Sequence, residues 1–193
     1  MSKSTAQDLA TEMGTLYETL QETRERLTDL KRKSAKGKVE NYILSGPGDE
    51  RVPLSALFGE KDDLVVIQNM GRSCPYCALW ADGFAGVQEH IENRAALVLV
   101  SPDPPEEHQK FGAARGWRFQ ILSSQGSAFK KDLGFESESG EQMPGVSTFH
   151  RDGDEIVNVA NDYFGPGDDY CAVWHLWGLL PKGVDDWKPQ FTY

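Results

Sequence analysis

The chain is short of cysteine, short of positive charge and without any long apolar run. Three cysteines in 193 residues are too few for the disulfide framework of a small secreted domain. Lysine and arginine number 20 against 30 aspartates and glutamates, a formal net charge of −10. A surface of that sign repels phosphate backbones and anionic headgroups, so neither nucleic acid nor a membrane is an expected partner. No stretch approaches the ~20 apolar residues of a bilayer-spanning helix. Met1-Ser2-Lys3-Ser4-Thr5 leads into a charged helical pattern, not into the apolar centre of a signal peptide. A cytoplasmic, reducing compartment is therefore expected, where a close cysteine pair is catalytic more often than structural.

What is present is concentrated in Cys74-Pro75-Tyr76-Cys77. The pair follows the apolar run Leu64-Val65-Val66-Ile67, which reads as a buried strand, and precedes a helical pattern. At a helix start, free backbone N–H groups and the macrodipole favour an anion. That lowers a thiol's pKa and raises its thiolate fraction, and the thiolate is the nucleophile. Pro75 stands in the first turn, where its missing N–H costs nothing. Cys74 is expected to attack and Cys77 to resolve. A C-x-x-C pair can also be half of a zinc site, but tetrahedral zinc needs further ligands. The candidates, Cys171, His90, His108, His150 and His175, are isolated in sequence. An inert pair is the third reading.

The rest of the chain divides into an N-terminal amphipathic helical arm (1–38), an α/β domain (39–165) and a C-terminal aromatic tail (166–193). In the arm, Leu9, Met13, Leu16, Leu20, Leu27 and Leu30 step by four and three, with Thr23 in the gap. That is a heptad seam. It serves equally for packing on its own domain or for a homodimer contact. From residue 40 short strands and helices alternate: a strand at 42–44, an ordered connector at 52–59, strands at 64–69 and 96–100, and one helix from Pro75 to Glu92 between them. Further helices at 106–115 and 127–133, a strand at 119–123 and a hairpin at 145–159 follow, turning at Arg151-Asp152-Gly153. The order predicts a layered fold with parallel strands at the centre and the hairpin at one edge. Tyr170 to Leu180 reads as an aromatic packing helix in which Cys171 is a small buried hydrophobe, or alternatively a second resolving thiol.

Met143-Pro144-Gly145 precedes the hairpin's first strand. Read with the cysteine pair, it predicts a cis X–Pro loop facing the sulfurs. Its Met143 backbone would take an extended substrate segment by strand addition. Pro75, Tyr76, Met143 and Pro144 are thus the expected substrate-binding residues.

C-x-x-C after an apolar strand, followed by a proline-led strand and an Asp-Gly hairpin, resembles the thioredoxin superfamily. The spacing from Cys77 to Pro144, and Ser101-Pro102-Asp103-Pro104-Pro105 ahead of Phe111, resemble its peroxiredoxin-like branch. More narrowly, three segments are similar to the DUF899 family of predicted dithiol–disulfide oxidoreductases: 74–84, Arg115-Gly116-Trp117, and Pro144 to Phe149. The resemblance implies a thioredoxin-like mixed sheet flanked by helices, with a peroxiredoxin-like insertion and the helical arm in addition. It implies thiol–disulfide exchange through Cys74 and Cys77 without a cofactor or metal. The substrate would be a protein or small-molecule disulfide, and the electron donor an unidentified thiol. Three departures stand out. Thioredoxins carry a buried acid on the strand before the motif; here the stretch is Ile67-Gln68-Asn69-Met70, and Asp82 is the nearest carboxylate for proton handling. Peroxiredoxins place a threonine three residues before the reactive cysteine, where this chain has Gly71. The tetrapeptide is also that of glutaredoxins, whose Gly-Gly segment after the proline is missing. The opposed readings are a thioredoxin-like copper chaperone or sensor using Cys74, Cys77 and a histidine such as His150, and a dimeric interaction protein with incidental cysteines.

Overall fold

Leu64 to Ile67 lies in the middle of one eight-stranded sheet. The computed structural model describes residues 5–193; Met1 to Ser4, with the signal-peptide question they carry, lie outside them. The strands are β1 (Gly37–Val39), β2 (Ile43–Ser45), β3 (Arg51–Pro53), β4 (Asp63–Gln68), β5 (Ala96–Ser101), β6 (Gln120–Ser123), β7 (Gly145–Asp152) and β8 (Glu155–Tyr163), in the spatial order β1-β8-β7-β4-β5-β6-β2-β3. β4, β5 and β6 run parallel, and β7 is antiparallel to β4. The fold is thioredoxin-like α/β with an added N-terminal helix. The hairpin β7–β8 does not end the sheet, because Gly37 to Val39 pairs with Ile156 to Asn158 and covers its outer edge. Three residues carry no periodic signal, so only long-range pairing reveals this strand.

The central strands are apolar on both faces, as buried parallel strands must be. Along β5, Val98 and Val100 enter one core with Phe58, Phe129, Phe135 and Phe149, while Leu97 and Leu99 enter the other with Ala78, Trp80, Trp117 and Trp174. The first core is closed by residues 42–58 and α5 (Phe129–Asp132). The second is closed by α2 (Pro75–Gly86), α4 (Pro105–Ala114) and α6 (Ala172–Gly178). The single helix expected from Pro75 to Glu92 is broken. Val87 takes φ −117° and ψ 11°, and α3 (Gln88–Arg94) restarts after it. Gly83 and Gly86 weaken the last turn, and β-branched Val87 does not hold it.

Gly145 opens β7 where no side chain fits. A Cβ there would lie 2.2 Å from the Asp162 carbonyl oxygen and 2.4 Å from Phe135 Cε1. The first is backbone in a paired strand and cannot swing away. Gly145→Ala is therefore expected to destabilise the fold by about 3 kcal/mol, measurable by urea unfolding; a midpoint equal to the parent's would contradict this packing.

The arm is α1 (Ala6–Lys33), begun by a capping box in which the Thr5 hydroxyl accepts from Asp8 N and the Asp8 carboxylate from Thr5 N. None of its residues is buried. Arg24 reaches Asp169 and Lys31 reaches Asp162, but its leucines do not sink into the domain.

Candidate active site

Cys74 is the N-cap of α2, with φ −97° and ψ 108°, and Pro75 is the first helical residue. The Cys77 N–H donates to Cys74 Sγ at 3.2 Å. The sequence dictates this locally: an apolar strand ends, proline fixes the first turn, and the preceding residue is steered to extended backbone. The two thiols differ. Cys74 is half-buried and Cys77 is 3% exposed. A hydrogen bond from the Cys77 side chain, helped by the Cys77 and Tyr76 backbone N–H groups against partial burial, pushes Cys74 down to about 6. The same bond, burial and the Cys74 charge push Cys77 far up. Both sulfurs are reduced thiols here.

The loop before Cys74 is tied on every side. Asn69 Oδ1 accepts from Gly71 N at 2.7 Å, Asn69 N donates to Val100 O, and Lys130 Nζ donates to Asn69 O at 2.6 Å. The Asp103 carboxylate accepts from Arg72 N at 2.6 Å, and Ser101 Oγ accepts from Asp103 N. Ser101 also meets His108 Nδ1 at 2.6 Å. His108 is fully buried and held neutral, its burial pushing it down to about 4. Gly71, at φ 114°, lies so close to Asp103 that a Cβ would sit 3.1 Å from a carboxylate oxygen. Asn69, Asp103, His108 and Lys130 therefore shape the site; Asp103 lies in the Ser101 to Pro105 segment, while Asn69 and Lys130 stand in no motif that marks them.

Pro144 comes to the same end of the sheet, since Gly145 pairs with Gln68, the last residue of β4. Its peptide bond is trans, as are all among the described residues. Met143 N donates to Phe135 O and Pro144 O accepts from Phe164 N. The chain thus enters β7 already extended, a course a trans peptide supplies. The expected cis loop is not formed, and the Met143 N–H is engaged within the chain. Tyr76 stacks on Trp174 at 6.3 Å and lies 6.2 Å from Trp80, so the aromatic tail bounds one flank of the site. Trp174 and Trp177 both meet Trp187 edge-on.

Other residues singled out by sequence are placed elsewhere. Asp82 lies along α2, where Arg115 Nε donates to it at 3.0 Å and Trp117 Nε1 at 2.8 Å. Those donors commit it to packing α2 against the chain around Trp117. His150 sits at the far end of β7, bonded to Asp63 at 2.8 Å, with Asp63 the first residue of β4. It does not point to the sulfurs, because the antiparallel register puts it at the opposite end of the strand. His175 faces Asp169. Among the described residues no group of three metal-binding side chains is gathered anywhere, so the histidine the copper reading needs is not beside the cysteines. Cys171 caps α6, buried in the aromatic core, and burial pushes its thiol up. No described helix is long and apolar enough to cross a membrane.

Comparison with solved structures gives peroxiredoxins. Peroxidoxin BcpB from Mycobacterium tuberculosis is 25% identical, with 67% of this chain and 85% of that one aligned at a TM-score of 0.53. Reduced Prx3 from Vibrio vulnificus, in complex with hydrogen peroxide, is 16% identical over 70% and 90% of the two chains, with a TM-score of 0.57. A peroxiredoxin-like protein from Aquifex aeolicus is 16% identical over 67% and 74%, with a TM-score of 0.53. No curated protein matches the chain significantly. Residues 6–192 match the family described as "Bacterial protein of unknown function (DUF899)", and the chain belongs to that family.

Proposed function

We propose that the chain is a thiol–disulfide oxidoreductase in which Cys74 attacks and Cys77 resolves. The observation that carries this is the asymmetry of the pair. One sulfur is accessible and favours the thiolate, and the other lies beneath it as a buried thiol one helical turn on. The Cys74 thiolate attacks one sulfur of a substrate disulfide, the S–S bond breaks, and the first half leaves as a thiolate. Cys77 then loses its proton and attacks Cys74 Sγ, and the second half leaves as a thiol. Two electrons have passed to the substrate and a Cys74–Cys77 disulfide remains. A cellular thiol must return it to the dithiol, which suits a reducing cytoplasm. Pro75 and Tyr76 follow the attacking sulfur into the helix, the Met143-Pro144 loop comes to the same end of the sheet as our candidate to meet the substrate there, and the reaction calls on no cofactor.

A second reading, thiol peroxidase, rests on the peroxiredoxin neighbours. Against it stands Gly71, whose positive φ and closeness to Asp103 fit glycine where peroxiredoxins have threonine. Incubation with 4,4′-dithiodipyridine separates the two. The reduced chain is expected to release two equivalents of thiopyridone rapidly and lose two hydrogens by mass, reversibly, while consuming hydrogen peroxide slowly. Rapid peroxide consumption, with no internal disulfide formed from the reagent, would establish the peroxidase reading instead.

A further inference from the structure

Lys130 is the one lysine with no exposed surface among the described residues. It stands on α5, between Phe129 of the first core and Lys131, which faces solvent and Glu138. Its ammonium donates to the Asn69 carbonyl. That carbonyl belongs to the Asn69–Met70 peptide, and the Met70 N–H of the same unit favours the Cys77 thiolate. In a trans peptide the carbonyl and N–H point to opposite sides of one plane. A single peptide unit therefore connects Lys130 to Cys77. A charge on the carbonyl side polarises the group and strengthens what its N–H offers the sulfur.

Cys77 needs such help at one moment only. In the resting dithiol, the bond to Cys74 and the Cys74 charge oppose its ionisation. Once Cys74 is consumed in a mixed disulfide, both are gone. Burial still opposes ionisation, while the Met70 N–H and the Lys130 charge assist it. No acid lies on β4 beyond Asp63 at its start, and Asp82 is committed to Arg115 and Trp117. Resting on the oxidoreductase reading above, we propose that Lys130 is the positioning residue of the resolving step, holding a positive charge behind the Asn69–Met70 peptide so that Cys77 ionises when the mixed disulfide must be broken. The Cys77 proton ends on the released thiol, and Lys130 remains protonated. The titratable groups facing Lys130 are the Cys77 thiol, Glu136 and Asp103; burial outweighs them and pushes the ammonium down to about 8.

Stopped-flow reaction of the full reduced chain with 4,4′-dithiodipyridine reads the two steps apart. The first thiopyridone leaves with Cys74 attack, at a rate proportional to reagent. The second leaves with Cys77 attack, first order and independent of reagent, which also distinguishes it from any reaction at Cys171. In Lys130→Met the second phase is expected to slow by about tenfold or more at neutral pH and to recover as pH rises, with the first phase slowed far less. A loss of one unit in thiolate-forming tendency is a tenfold loss of thiolate. Lys130→Gln, which keeps a donor without the charge, is expected to behave like Lys130→Met. Melting of both variants controls for folding. Folded variants with an unshifted second-phase profile would overturn the role of Lys130. If the parent releases only one thiopyridone and forms no internal disulfide, the oxidoreductase reading itself fails.

Discussion

With serine in place of Cys74 the chain is expected to lose disulfide exchange entirely, and Cys77 cannot substitute. A serine hydroxyl does not ionise in this range, and Cys77 is 3% exposed with its thiol pushed far up. Cys77→Ser is expected to do the opposite. Attack by Cys74 survives, the resolving sulfur is missing, and mixed disulfides accumulate. The pH dependence sharpens the contrast. The largest influence lowering Cys74 is the hydrogen bond from the Cys77 side chain, which a serine at 77 can still donate and an alanine cannot. Alkylation of Cys74 by iodoacetamide should therefore rise with pH through a midpoint near 6 in the parent and stay low in Cys77→Ser. In Cys77→Ala the midpoint should move up toward the ordinary thiol range. The reactive form is the thiolate, so raising the pKa removes it from mildly acidic solution. Part of that loss is returned because a more basic thiolate is the better nucleophile, leaving a net decrease of up to about tenfold. Mass spectrometry of the alkylated chain decides it. Equal, slow labelling of Cys74 and Cys77 would remove the basis for assigning their roles.

How much of this was legible in the sequence follows from how local each cause is. The strand before the cysteines, the extended Cys74 and the helix beginning at Pro75 are set by neighbours within a few residues, and the structure has all three. The parallel centre follows from uniformly apolar runs such as Ala96 to Val100. What escaped was decided at long range. Gly37 to Val39 is a strand only because β8 offers an edge. His150 was placed near the sulfurs by its nearness to Pro144, yet a strand carries it to the other end of the sheet. The cis expectation for Pro144 rests on a strand-entry proline and hairpin read with the distant cysteine pair, and the bonds Met143 N to Phe135 O and Phe164 N to Pro144 O suit a trans course instead. Lys130 is the sharpest case. It differs from Lys131 by one position, and only the turn of α5 against the first core sends one inward and the other out.

Full-length chain is expected to weigh twice its monomer mass by light scattering, joined through α1. A helix draws most of its stability in a protein from packing its apolar face, and the domain leaves that face of α1 largely uncovered. Leu9, Met13, Leu16, Leu20, Leu27 and Leu30 are between 42% and 61% exposed, a continuous seam on one side. Charge names the occupant. Residues 6–22 carry Asp8, Glu12, Glu18 and Glu22 with no lysine or arginine, while residues 23–33 carry Arg24, Arg26, Lys31, Arg32 and Lys33 against Glu25 and Asp29. Arg24 and Lys31 are engaged by Asp169 and Asp162, and the remaining cations still outnumber the acids in reach of a second helix. A second copy laid antiparallel sets each acidic half against a basic half and opposes the two helix dipoles. A parallel copy would set like against like. The acidic domains meanwhile repel one another, so the near-neutral arm is the part that two chains can share. Leu16→Glu with Leu20→Glu is expected to give monomers whose α/β domain still unfolds cooperatively, since no arm residue is buried in the fold. Raising the salt is expected to weaken the parent dimer by screening the crossed charges. A monomeric parent at tens of micromolar, or a double variant that stays dimeric, would show that the seam does not join two copies.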